Sequence, residues 1–393
     1  MSATEERSSP IRVAALILAA LALLAVAFQA PIWWVSLTAP NYPAEAFPDG
    51  VRIHFHLNGV FNGCRKVEKA EIKEEEALDC VHEMDTINHY VGMYPIAAGG
   101  VVEKAFAPFL MTMLGVMALG FAIPGARARV ALMGAGFAAI ALWMGLAFYA
   151  PGGLHFQTLG YLEGLVTSLD QDAKSADEAK TVSPGAALIA RLKAELAKAE
   201  GKPAAAPGPA APAGSERERM IDNLKVTFEK AQERRQSGER QSWAGSGAQT
   251  LTWHYEKSLG RYFNNPAEIG PLSSTMTAAA HLVFWAILGA MGLLLWGARR
   301  TGGPLYWLLI LVPMALPIFF VLEYSAWLWW YGHSLNAMGA FTVKPFMPTV
   351  FGDGKVAQFA THSYPSWGFG LMLLASALLA LAALLRRKGL RAP

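Results

Sequence analysis

The chain has 393 residues, 53% of them hydrophobic and 16% charged, with a net charge of +3. So apolar a composition excludes an intrinsically disordered chain; the small net charge says nothing about nucleic acid, because the basic residues are largely explained by membrane topology, and no nucleic-acid partner is expected. The apolar residues run together in stretches of about 20, the length of a bilayer-spanning helix, so the expected fold class is an all-α membrane protein.

Six transmembrane helices are expected. The first, 13–36, follows Arg7 and Arg12 and runs through Pro31 to Trp33, Trp34 and Val35. With no small-residue cleavage pattern it reads as an uncleaved anchor rather than a signal peptide. Residues 37–104 form a first loop. There Val51, Ile53, Phe55 and Leu57 alternate with Arg52, His54, His56 and Asn58, the pattern of a half-buried strand. The Asn-Gly steps at Asn58 and Asn62 are turn signals for a hairpin, and the charged run KVEKAEIKEEEALDC after them reads as strand or exposed helix. This loop is expected to be a small α/β element. Helices two and three lie within 105–150, as apolar stretches 105–124 and 130–150. Residues 151–274 form an insertion with two helical segments, 185–200 and 216–236, joined by an Ala/Pro/Gly linker at 200–215 that cannot bury a core.

Helices four and five lie within 275–331, as stretches 275–297 and 305–331, and Pro313 and Pro317 predict a kink in the second of these. The loop 332–365 has too much Pro and Gly for a long helix but is rich in aromatics. It is expected to pack back onto the membrane surface or the first loop. The last span is 366–385.

Flanking charge sets the expected orientation. Arg7 and Arg12, Arg127 and Arg129, Arg299 and Arg300, and the terminal RRKGLR all fall on one side of a six-helix arrangement. Lys and Arg near helix ends stay in the cytoplasm, so both termini are expected there and the three loops in the periplasm of a bacterial inner membrane. The two cysteines, Cys64 and Cys80, both lie in the first loop. An oxidising compartment favours a disulfide between them; free thiols or a soft metal pair are the alternatives.

No GxxxxGKS, GxGxxG, GxSxG or CxxCH element occurs, so nucleotide binding, serine hydrolase chemistry and covalent haem have no local support. An enzymatic reading has nothing behind it beyond the histidines. None of the nine histidines falls on the cytoplasmic side of the expected topology. In HEMDTINHYVGM, a helix over 82–93 would place His82, Asp85, His89 and Met93 on one face, because they recur at steps of three, four and four. His54 and His56 share a strand face, and a Cys64–Cys80 bridge would fold that strand toward the helix. Imidazole with thioether suits copper, Cu(I) above all. The candidate metal ligands are therefore His82, His89, Met93, His54, His56, Met84 and Asp85. The plainer alternative makes Met93, just before Tyr94 and Pro95, an apolar contact and each histidine a hydrogen-bonding residue. Glu323, in the fifth apolar segment, is a second candidate: membrane-embedded acids face a bundle interior and bind cations, relay protons or hydrogen-bond to a neighbour.

The segments NYPAEAFPDGVRIHFHLNG, INHYVGMYPI and FMPTVFGDGKVAQFATHSYPSWGFG resemble a family of polytopic bacterial membrane proteins associated with accessory genes for copper insertion into nitrous-oxide reductase. In that family the corresponding elements are of the types NYPEG, LNHYIGM and PPxxGxxKIxxFxTxSY. His89, Tyr90, Gly92 and Met93 stand at matching positions. The resemblance covers the first and third loops; His54, His56, His82 and the long insertion depart from it. It implies a role in copper handling outside the membrane.

The expected function is thus a membrane protein with an extracytoplasmic copper site, assisting copper delivery or cuproprotein maturation with a protein partner in the periplasm or membrane. A structural or assembly subunit of a membrane respiratory or oxygenase complex is the rival, and a Glu323-dependent transporter a third reading.

Overall fold

Pro31 shortens the first helix. In a computed structural model that describes residues 3–66, 78–180, 213–235, 237–238, 240–340, 345–356 and 358–391, helix α1 (Ala3–Gln29) stops just before it. A proline disfavours helical geometry at the preceding residue. The expected span 13–36 is therefore corrected at its end: Trp33–Thr38 is not helix but strand β1. Hydropathy alone does not separate the two, because the apolar run continues across the proline.

Strand β1 is the centre of a five-stranded antiparallel sheet. The alternating segment forms β2 (Val51–His56), which turns through Leu57 and Asn58 into β3 (Gly59–Asn62), as the Asn-Gly signal led one to expect. Gly59, at φ 133°, takes the backbone position that side chains avoid. The aromatic loop supplies β4 (Gly352–Val356) and β5 (Phe359–Pro365), so it does pack back onto the first loop. The strand order is β3-β2-β1-β5-β4, with Trp34 opposite both His54 and Tyr364.

The pleat divides the sheet into two faces. Val51 and Ile53 are buried, and Trp33 donates from Nε1 to Ser363 Oγ at 2.9 Å, with the Tyr324 hydroxyl 3.2 Å from the same oxygen. Trp34, Arg52, His54 and His56 lie on the opposite face, where the Arg52 guanidinium sits 4.1 Å above the Trp34 ring.

Helix α2 (Cys80–Val91) packs on β2, and the disulfide Cys64–Cys80 ties its first residue to the end of the hairpin, with Cα atoms 5.9 Å apart. Then follow α3 (Ile96–Ala122) and α4 (Ala126–Tyr149). The insertion contributes α5 (Leu159–Lys180), α6 (Ala213–Glu233) and α7 (Gly247–Leu259). Residues 185–200, expected helical, and most of 67–77 and 200–215 lie outside the described residues. The remaining helices are α8 (Pro266–Gly297), α9 (Pro304–Met314), α10 (Leu316–His333) and α11 (Trp367–Arg391).

Among the described residues five helices are long and apolar enough to cross a membrane: Pro10–Gln29, Gly100–Ala122, Ala126–Tyr149, Pro266–Gly297 and Trp367–Leu390. The pair α9 and α10 would make a sixth, bent by 66° between Pro313 and Pro317, where the prolines predict a kink. Arg129 does more than mark topology. It is fully buried and donates to the carbonyls of Ala298 (2.8 Å) and Ile123 (3.2 Å), satisfying acceptors that helix ends leave open.

The insertion is better packed than its composition implies. Leu162, Leu165, Leu224, Phe228 and Leu251, drawn from α5, α6 and α7, are buried in the same apolar core as the spanning helices.

Candidate functional site

Helix α2 is set by its ends. Asp79 caps it, accepting from the backbone N–H of Val81 and His82 at 3.1 Å each, and Gly92 closes it in the left-handed region at φ 98°. Because the helix ends at Val91, Met93 does not continue the expected stripe. Met93 is buried with Tyr94, Tyr255, Leu259 and Phe263, and Met84 is buried with Val51, Ile53 and Ile87. Both thioethers therefore serve as apolar contacts in two different clusters, which for Met93 is the plainer of the two expectations.

His82, Asp85 and His89 do share one face of α2, as a seven-residue span at helical pitch requires. That face meets the chain leaving α7. The His89 ring stacks on Tyr262 at 4.6 Å between centroids and lies 4.8 Å from Phe263. Asp85 pairs with Arg261: Oδ2 and Nη1 are 3.9 Å apart and each side chain is 1% exposed. A guanidinium thus occupies the neighbourhood in which a cation would have sat on this stripe.

From Arg261 a buried polar chain runs inward. Arg261 Nη2 donates to the Ser168 carbonyl (2.8 Å) and hydroxyl (3.1 Å), Ser168 Oγ is 3.4 Å from Ser258 Oγ, and Ser258 Oγ is 3.2 Å from His254 Nε2. His254 is fully buried. Burial, then the charges of Arg261 and Lys104, push its pKa down to about 3, so it is neutral at pH 7. Burial likewise lowers the pKa of His89. Among the described residues, the buried Nδ1 atoms of His82, His89 and His254 and the Nδ2 of Asn88 have no hydrogen-bond partner. Such groups are rare in native interiors and mark places to look for function.

His54 and His56 do not join this face. Strand alternation turns Val51 and Ile53 toward Met84 and Ile87 of α2, which leaves the two histidines on the other side of the sheet. Burial, then the nearby Arg52, lowers the His54 pKa; burial, then His54, pushes His56 down to about 4. Among the described residues no three His, Cys, Asp or Glu side chains come together as a group able to hold a metal ion. The expected convergence of the two histidine pairs is therefore not found.

Glu323 lies in α10, partly buried, within electrostatic reach of Tyr331. It also lies within electrostatic reach of Glu103, as does Lys104. These two charges in the first turns of α3 were missed in the sequence because they border the apolar run and read as its flank. Arg261 and His254 carried no local signal at all.

The segments that carried the family resemblance share one buried cluster, with Val51 and Ile53 from the first, Ile87 from the second and Phe359 from the third, and the second also meets residues 336–340, which lie outside the resemblance. Asn336 N–H donates to Gly92 O at 2.8 Å and Ala340 N–H to Tyr90 O at 2.9 Å. The contact needs two glycines: a Cβ on Gly339 would stand 2.4 Å from the Gly92 Cα. No family model, curated protein or solved structure matches the chain.

Proposed function

We propose that the chain is a multi-pass inner-membrane protein whose sheet, α2 and insertion helices form an extracytoplasmic platform that assists copper delivery or cuproprotein maturation. The observation that carries this reading is the cluster in which Val51 and Ile53 of β2, Ile87 of α2 and Phe359 of β5 are buried together. Segments from distant parts of the chain are thus packed against one another, and these are the segments that resemble the copper-insertion family. The basic clusters and the disulfide support placing that surface outside the membrane.

Copper is then cargo, not a resident centre. Among the described residues the Nδ1 atoms of His82 and His89 make no hydrogen bond; imidazole suits copper, and the remaining ligands would come from the partner during exchange. Competition titration with Cu(I) tests this. Alanine at both histidines should weaken affinity at least about ten-fold, the loss of roughly 1.4 kcal/mol; unchanged affinity removes these residues from the assignment. Retention of a stoichiometric protein partner without copper would favour the assembly-subunit reading instead.

A second reading rests on the bent α9–α10 pair and the Glu103–Glu323 pair beside it. Broken helices and embedded acids are features of transport paths. Unaltered uptake in a Glu323→Gln protein would remove this residue from any such mechanism.

A further inference from the structure

A cavity of about 210 Å³ opens between α6, α7 and α8, away from α2 and its histidines. Its wall includes Trp253, Arg235, Glu256, Gln232, Thr252 and Thr277. Trp253 is 4% exposed, and its buried indole N–H has no acceptor among the described residues. An indole nitrogen can only donate, so a buried one left without an acceptor points to a missing oxygen.

The neighbouring groups are donors in surplus on one side and acceptors on the other. Arg235 makes both of its 2.7 Å bonds to Glu256 through Nη2, which leaves Nε and Nη1 of the guanidinium for a second acceptor and cancels the charge of the carboxylate. Gln232 accepts the Gln241 backbone N–H at 3.0 Å through Oε1 and keeps its NH₂ donors. Thr252 and Thr277 donate within their own helices, at 3.0 and 2.8 Å, so their oxygens face a guest as acceptors.

Depth in the membrane narrows the guest. Helix α8 has 32 residues, about 48 Å at 1.5 Å per residue, well beyond a hydrocarbon core of roughly 30 Å. Counting about 20 residues back from its basic end, where Arg299 and Arg300 follow, reaches Ala278. Thr277 and the cavity therefore stand at headgroup level, where Trp and Arg are at home. The volume is below the roughly 300–1,000 Å³ of sites that engulf whole ligands, and suits a headgroup.

We propose that this cavity binds a glycerol phosphate ester, with phosphoryl oxygens accepting from Trp253 and Arg235 and glycerol hydroxyls donating to the threonine oxygens. The ester is supplied either by a phospholipid headgroup or by the free polyol phosphate.

The test uses ¹⁵N-indole-labelled full chain in an uncharged detergent, with the Trp253 N–H resonance assigned by Trp253→Phe. Glycerol 3-phosphate, dihexanoyl phosphatidylglycerol and inorganic phosphate are titrated in turn. The Trp253 resonance, among the twelve tryptophans, should shift saturably with the first two. Arg235→Gln should weaken the response about ten-fold or more, as expected for a hydrogen bond to a charged group. Tighter binding of the short-chain lipid assigns the site to a headgroup, and equal binding to the free ester. If Arg235→Gln fails to fold, Thr252→Val serves as the second variant. A Trp253 resonance unmoved by glycerol 3-phosphate and the short-chain lipid, or moved in the variant as readily as in the parent, overturns the proposal.

Discussion

Removing the charge of Asp85 is the sharpest perturbation the structure offers. Asp85 and Arg261 are each 1% exposed, so solvent does not screen their interaction, and Asp85→Asn would leave a guanidinium buried without its counter-charge. Breaking such a pair from one side costs roughly 3–5 kcal/mol. Arg261 keeps its 2.8 and 3.1 Å bonds to Ser168, which puts the expected loss near the lower end, about 3 kcal/mol. Replacing both partners by apolar residues of similar volume is often neutral, so Asp85→Leu/Arg261→Met should recover most of that loss. Thermal melts of the two single variants, the double variant and the parent in one detergent form the cycle. Single variants as stable as the parent, or a double variant whose loss is the sum of the two, would refute the claim of a desolvated, coupled pair.

Other expectations follow from the same geometry. His254 has a folded-state pKa of about 3 against an ordinary 6.5. It therefore stabilises the fold fully above pH 6.5, and that contribution drains away as pH falls toward 3, by several kcal/mol at about 1.4 kcal/mol per unit. Melting temperature against pH should have a shallower acid limb in His254→Leu, and an unchanged limb would contradict the assignment. Reducing Cys64–Cys80, which closes a separation of 16 residues, should cost about 3 kcal/mol and raise amide exchange in α2 first. Gly339→Ala would drive a Cβ to 2.4 Å from the Gly92 Cα; hydrogen exchange should rise at Asn336 and Ala340, whose amides hold the junction.

The sequence speaks most clearly where the physics is local. Bilayer-length apolar runs, the Val51–Phe55 alternation with its Asn-Gly turn, the paired cysteines and the Pro313/Pro317 break each depend on residues close together in the chain, and each has its counterpart in the fold. Strand β1 was hidden because Trp33, Trp34 and Val35 are as apolar as the helix before them, and its pairing with β5 joins residues at opposite ends of the chain. Helices α5 and α7 were obscured by a polar insertion whose apolar stripes gain meaning only when packed on the bundle. Of the expected metal stripe, helical pitch kept His82, Asp85 and His89 on one face, but nothing near Asp85 in sequence announces Arg261. Long-range charge pairing of this kind is invisible to periodicity.

Copper content decides the central claim most directly. Full-length protein purified in detergent would be loaded with Cu(I) without oxygen, desalted and measured by elemental analysis beside the His82→Ala/His89→Ala variant. The account predicts about one retained copper per chain, held through imidazole nitrogen, which suits copper, and its loss in the variant. No copper on the parent, or equal copper on both, would contradict it.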